Sequence, residues 1–462
     1  DYSNRMQMRE YERRLSTLRK HGLHAQGLMW DEPGYTCTYG SLPFTPAIRT
    51  ACTDALGFPL ERALWKLALD AADGSHIPVR QVYYRLVQQT VVDAQRSTNR
   101  IMRRMWGSEC IAGIHDTWHF ESGDMCDMNH GSMDLWKGAE AKSGGFVDVG
   151  GVNEIRDPSS PHYARVAALS VINASLGRHS QGKFAYNNLW TVGDDDGEGW
   201  QETVMDHCVN ILALFGTRWL AHAYGPVGTI GEERSFLGSP PLPGYPEHST
   251  WPAFPRWNAR LRNHWATTGG RLPDTNVLVV YPVDTLYGLA DTRADRMAAD
   301  VFTLLLALVD AHYQPDVLSP TVAARGRWKG EKFMIGRHAY DAIILPYQPA
   351  PRKELSALLR RHEKQVLHVT SSPLVAAAFL ASIDERSVPR PVRGPAHTWV
   401  SATQAERATI VTVIASRHGG HVEGTLEYDG AAISLPRTDG LVTVRFRQGE
   451  APAIVPGGDV PK

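Results

Sequence analysis

Ala25-Gln26-Gly27-Leu28-Met29-Trp30-Asp31-Glu32-Pro33-Gly34-Tyr35 is an apolar run that meets two adjacent carboxylates and is stopped at once by a proline and a glycine. The pattern reads as a buried strand that brings an acid to its carboxyl end. Trp30 and Tyr35 flank Glu32. Aromatic neighbours lower the local polarity, which raises a carboxylic acid's pKa toward the range of a general acid. The same rings offer a surface on which a sugar stacks. An ordinary strand end with solvated acids fits these residues equally well, so the rest of the chain has to decide.

Four more segments repeat the pattern of an apolar run closing on polar or aromatic residues. They are Ile111-Ala112-Gly113-Ile114-His115-Asp116, Gly145-Phe146-Val147-Asp148-Val149, Lys183-Phe184-Ala185-Tyr186-Asn187-Asn188 and Arg218-Trp219-Leu220-Ala221-His222-Ala223-Tyr224. Helical patterns separate them: a charged one over 3–20, a long one over 78–106, one opened by Ser160-Pro161 and stopped by Gly177, and one over 200–215. A last helix carries Trp257, Leu261 and Trp265 on one face. Residues 36–74 read as an insertion. Five strands alternating with helices are the pattern of a parallel TIM-type β/α barrel, whose active site forms at the carboxyl ends of its strands. An open doubly wound sheet is the competing reading. A closed barrel has eight strands and the chain opens without a methionine, so 1–272 is expected to be a partial barrel that lacks its first strands.

From Pro273 the pattern changes. Asn276-Val277-Leu278-Val279-Val280-Tyr281-Pro282, Asp341-Ala342-Ile343-Ile344-Leu345-Pro346 and Gln365-Val366-Leu367-His368-Val369 are continuous apolar strands. Helical patterns over 293–312 and 352–362 lie between them. This predicts a small flavodoxin-like α/β domain over 273–392. Such folds sometimes carry a glutaminase cysteine, but no cysteine follows Cys208, so a structural or oligomerising role is expected. Short alternating runs then appear over 408–416, 422–428, 431–435 and 441–447, with Asp429-Gly430 joining two of them as a tight hairpin. They predict a small β-sandwich over 393–462.

Composition narrows the function classes. The 48 basic and 49 acidic residues leave a net charge of −1, which points to neither nucleic acid nor an anionic membrane. No apolar run approaches about twenty residues, so no spanning helix is expected. Thirteen tryptophans and sixteen tyrosines suit carbohydrate stacking as well as a large core. The five cysteines, Cys37, Cys52, Cys110, Cys126 and Cys208, contain no CxxC pair, which argues against a disulfide scaffold and a structural zinc site. The compartment is not legible.

The order barrel, small α/β domain, small β domain resembles the family 42 β-galactosidases and the related α-L-rhamnosidase group. In those enzymes the fourth barrel strand ends in Asn-Glu-Pro, whose glutamate is the general acid/base. Asp31-Glu32-Pro33 matches at the acid and the proline. Trp219-Leu220-Ala221-His222-Ala223-Tyr224-Gly225-Pro226 is similar to their eighth-strand signature. The resemblance implies a glycosidase acting on a terminal galactoside or rhamnoside, with Glu32 protonating the leaving oxygen. One departure matters. Retaining members carry a nucleophilic glutamate at the end of the seventh strand, where this chain has Tyr186-Asn187-Asn188. Three readings stay open: an inverting enzyme in which Asp116, Glu121 or Asp148 activates water, a Tyr186 nucleophile as in sialidases, or a silent site that only binds sugar.

Candidate sugar contacts are Trp30, Asp31, His115, His119, Asn187, Asn188, Trp190, His222 and Tyr224. The group His115, Asp116, His119, Glu121 is closely spaced, but a metal would want further ligands at fixed intervals. Hydroxyl contacts are the better reading, and neither metal nor cofactor is expected. Asp194-Asp195-Asp196-Gly197-Glu198 departs from calcium-loop spacing and reads as a solvated acidic loop. The expected partners are a glycoside and a second copy of the chain through the α/β domain.

Overall fold

A computed structural model describes residues 5–25, 27–31, 42–115, 133–148, 163–188, 202–221, 251–290, 292–348, 353–385 and 387–455. The chain is a mixed α/β protein with parallel sheets first and antiparallel sheets at its carboxyl end. The first five strands are β1 (Gly27–Asp31), β2 (Ile111–His115), β3 (Gly145–Asp148), β4 (Ala185–Asn188) and β5 (Thr217–Ala221). β1 and β2 form one parallel ladder, and β3, β4 and β5 another, with β3 lying alongside β2.

The helices between these strands follow the sequence with instructive differences. His76–Trp106 is one helix of 31 residues. It starts two residues before Pro78, because proline is tolerated in a first turn whose N–H groups have no intrahelical partner. Gly107, at φ +97°, ends it. Arg5–Lys20 packs against its far end through Leu15, Ile101, Met102 and Met105. Part of the expected insertion is helical: Pro46–Leu56 is capped by the Thr45 hydroxyl, which accepts from the Ile48 N–H (3.2 Å), and closed by Gly57 at φ +76°. Tyr163–His179 runs through Gly177, which is not its stop. Almost every residue of this helix is buried, since it lies between β3, β4, the strand Pro315–Leu318 and the helix Thr292–Asp310. An all-round apolar pattern is what such a position needs.

The second unit holds β6 (Val277–Val280), β7 (Pro315–Leu318), a short antiparallel set β8 (Arg327–Lys329), β9 (Lys332–Ile335) and β10 (His338–Tyr340), then β11 (Ala342–Leu345) and β12 (Val366–His368). Its parallel sheet has the order β12-β11-β6-β7. The sequence reading missed β7, whose apolar run is broken by Asp316, and the three short antiparallel strands.

The third unit has β13 (Val392–Arg393), β14 (Thr398–Gln404), β15 (Thr409–Ala415), β16 (Val422–Tyr428), β17 (Ala431–Thr438), β18 (Val442–Phe446) and β19 (Ala453–Val455). Two antiparallel sheets result, β14-β15-β18-β19 and β13-β16-β17. β14 and β15 serve two cores at once. Val400, Ala402, Val411 and Val413 fill the sandwich, while Trp399 and Ile414 join the large core shared by the other two units. Strands buried on both faces lose the alternation by which a strand is recognised, which is why β14 was not anticipated.

No helix among the described residues is long and apolar enough to cross a membrane. Cys52, Cys110 and Cys208 are buried; Cys37 and Cys126 lie outside the described residues, as does the 194–198 acidic segment.

Candidate functional site

The site predicted from the sequence belongs to the carboxyl ends of β1–β5. Parallel pairing brings those ends level. Asp31 is the register partner of His115, Asp148 of Asn188, and Asn188 of Ala221. Within each of the two ladders the strands therefore end level, β1 to β4 on polar residues and β5 on Ala221.

Successive residues of a strand face opposite sides, and the burial pattern assigns the sides. Val147 and Leu220 join the core formed with the helices Tyr163–His179 and Glu202–Leu214. Asn187, register partner of both, is fully buried and shares their helix-facing side. The expectation that Asn187 contacts sugar is corrected: a side chain shut in beneath the helix layer does not reach a ligand at the strand ends.

The opposite face carries an aromatic stack. Phe146 and Tyr186 are register partners whose rings lie 4.3 Å apart at 13°. Trp219 stacks on Tyr186 at 5.4 Å and 20°, and Phe184 leans on Trp219 at 5.0 Å. The Arg218 guanidinium lies over the Trp219 and Phe184 rings, 5.0 and 5.7 Å from their centroids. A bulge makes this packing: between Ala185↔Thr217 and Asn187↔Leu220, one residue of β4 faces two of β5. Arg218 and Trp219 thus stand together opposite Tyr186. Asn173, on the helix behind, donates to the Tyr186 carbonyl (3.0 Å) and fixes the strand from the other side.

Tyr186 is only 3% exposed, and its hydroxyl is buried. Its place is structural, within the stack. The burial of its hydroxyl argues against the nucleophile reading, since a nucleophile has to meet the sugar's anomeric carbon. The sequence reading placed Trp219 in a strand-end signature and gave no role to Phe146, Phe184 and Arg218. The alternation Phe184-x-Tyr186 opposite Phe146 was the available signal, a cross-strand aromatic ladder.

Trp30, Asp31, His115, Asp148 and Asn188 are located by their backbone alone. Glu32, Asp116, His119, Glu121, Trp190, His222 and Tyr224 lie outside the described residues.

No protein-family model matches the chain, and no curated protein matches its sequence. Solved structures do match. Gan42B, a family 42 β-galactosidase from G. stearothermophilus, aligns over 97% of this chain and 82% of its own, with a TM-score of 0.60 at 11% identity. The cold-adapted β-galactosidase from Rahnella sp. R3 aligns over 98% and 82%, with a TM-score of 0.60 at 10% identity. A β-galactosidase from the Antarctic haloarchaeon Halorubrum lacusprofundi aligns over 96% and 70%, with a TM-score of 0.53 at 13% identity. The chain thus resembles the family 42 β-galactosidases in fold along nearly its whole described architecture.

Proposed function

We propose that the chain is a glycoside hydrolase of the family 42 β-galactosidase type, a partial TIM barrel with flavodoxin-like and sandwich domains that cleaves a terminal galactoside or rhamnoside bond. The observation that carries this reading is the level termination of parallel strands on polar register partners within two adjacent ladders, Asp31 with His115 and Asp148 with Asn188. Barrel enzymes work from that end of their strands. The likeness in fold to β-galactosidases supports it.

In this reading Glu32, which follows the last residue of β1, protonates the leaving oxygen. β4 ends in Asn187-Asn188, and an amide neither forms a stable glycosyl ester nor takes a proton from water. Water activation therefore falls to Asp116, which follows β2, with Glu121 and Asp148 behind it. Retaining pairs of carboxylates stand about 5–5.5 Å apart and inverting pairs roughly 6.5–9.5 Å. A base on a strand other than the usual nucleophile's suits the wider gap, so the reaction inverts.

Proton NMR of the first sugar released from β-galactosides and α-rhamnosides tests this. The inverted anomer is expected; the substrate's own anomer, or a covalent sugar on Tyr186, overturns it. A second reading, sugar binding without turnover, is favoured by the missing β4 carboxylate. A nitrophenyl glycoside panel that gives binding and no release would establish it instead.

A further inference from the structure

We infer a second carbohydrate site, on the C-terminal sandwich and apart from the barrel strand ends. An open-mouthed cavity of about 700 Å³ lies where β13 meets the β16–β17 hairpin, and Arg390, Arg393, Glu427, Tyr428 and Asp429 supply its polar wall. That volume falls within the roughly 300–1,000 Å³ of small-molecule sites.

The wall is held in place from several directions. Glu385 accepts from both Arg390 and Arg393, the latter at 2.9 Å, so one carboxylate fixes two guanidinium forks. Arg390 also donates to the Ala311 carbonyl (3.4 Å) and lies over the Tyr313 ring, 5.8 Å from its centroid. Its Nε is buried without a hydrogen-bond partner among the described residues. Arg393 is the register partner of Glu427, and Val392 of Tyr428. The Tyr428 hydroxyl is hydrogen-bonded to Thr409 (3.0 Å), and its ring leans on Phe446 at 5.2 Å. Asp429 and Gly430 take φ values of +48° and +77°, the two left-handed positions of a type I′ turn, which fixes the hairpin tip.

The charges decide the ligand class. With Glu385 counted, two arginines meet three carboxylates, so an anion finds no net attraction here. Glu427 and Asp429 are exposed acceptors, and the guanidiniums are donors in a planar fork. A neutral saccharide answers both. Its vicinal hydroxyls donate to the Glu427 and Asp429 carboxylates and accept from the exposed Arg393 fork, whose second Nη is not engaged by Glu385. This site stands whether or not the chain is a hydrolase.

Hydrogen–deuterium exchange of the intact chain, titrated with non-hydrolysable thio-linked galactobiose, tests the inference. Protection over 390–393 and 427–432 is expected. The double variant Glu427→Gln/Asp429→Asn changes exposed positions and keeps a turn-compatible residue at 429; its apparent affinity at this segment should fall at least tenfold. Arg393→Ala, on the neighbouring strand β13, should give the same loss and decides the matter if the double variant melts early. No protection in the unmodified chain, or protection that persists in these variants, overturns the site. Stronger protection by digalacturonate than by galactobiose overturns the neutral class.

Discussion

Glu32 and Asp316 are acids put to opposite uses. Glu32 lies between Trp30 and Tyr35 in sequence, where a raised pKa would keep a proton available. Glu32→Gln should lower turnover of poor-leaving-group glycosides by about 10²–10⁴-fold while activated aryl glycosides suffer less. Equal losses on both, in side-by-side steady-state assays, would remove Glu32 from the general-acid role. Asp316 is fully buried on β7. Burial alone would raise its pKa, but the Arg178 guanidinium (2.8 Å), His179 (3.3 Å) and the Tyr340 hydroxyl (2.6 Å) outweigh that and hold the carboxyl well below the usual range. Its stabilisation is therefore present above the unfolded value near 3.9 and lost as pH falls below it. Asp316→Ala strands Arg178 in the interior and should cost about 3–5 kcal/mol in urea unfolding. A cost under about 1 kcal/mol would show that the cluster is replaceable.

At the scale of elements, the helix Tyr163–His179 ties the strand ends to the second unit. Its carboxyl end supplies Arg178 and His179 to Asp316, and Arg178 also donates to the Pro273 carbonyl (2.6 Å) at the start of that unit. Its body lies so close to β4 that a Cβ on Gly177 would stand 2.6 Å from the Phe184 carbonyl oxygen. Two effects compete in Gly177→Ala. Helix propensity favours alanine by about 1 kcal/mol. Overpacking against backbone costs about 1–3 kcal/mol, and strand backbone has nowhere to move. The variant should be the less stable protein in urea titration. A gain in stability would mean that the helix and β4 separate more freely than this packing implies.

At the scale of the whole molecule, the three units converge on one junction. Tyr163 donates to the Ser416 carbonyl, Arg417 covers the Tyr163 ring at 4.5 Å, and Trp399 donates to Asp310 (2.6 Å). His207 is buried beside them, and burial, reinforced by His418 and Arg417, holds its pKa down at about 3. Burial also holds His264 at about 4. Both are neutral in the fold, while the unfolded chain takes up their protons below about 6.5. Unfolding free energy should therefore fall as pH drops from about 6.5 toward 4, by up to about 1.4 kcal/mol per pH unit for each histidine. His207→Phe should flatten that slope by one histidine's share when denaturation is followed across this range. An unchanged slope would show that His207 is not held neutral.

The sequence determined the alternation of strands and helices, the apolar strand at Val277–Val280 and the hairpin at Asp429-Gly430. These are local properties: periodicity, turn chemistry and breaks in apolar runs act within a few residues. It also singled out the polar residues that close β1 to β4, because a strand ending in Asp31 or Asp148 announces itself in its own letters. Tertiary structure alone decided which face of β4 each residue takes. Tyr186 and Asn187 read alike as site residues, yet one joins an aromatic stack and the other lies beneath helices, since the side depends on what packs against each face. β7 and β14 stayed hidden for the same reason. Asp316 is tolerated in a buried strand because Arg178 arrives from a distant helix, and β14 is buried on both faces because two cores meet across it. Partners far away in the chain set those environments, and no window of neighbouring residues contains them.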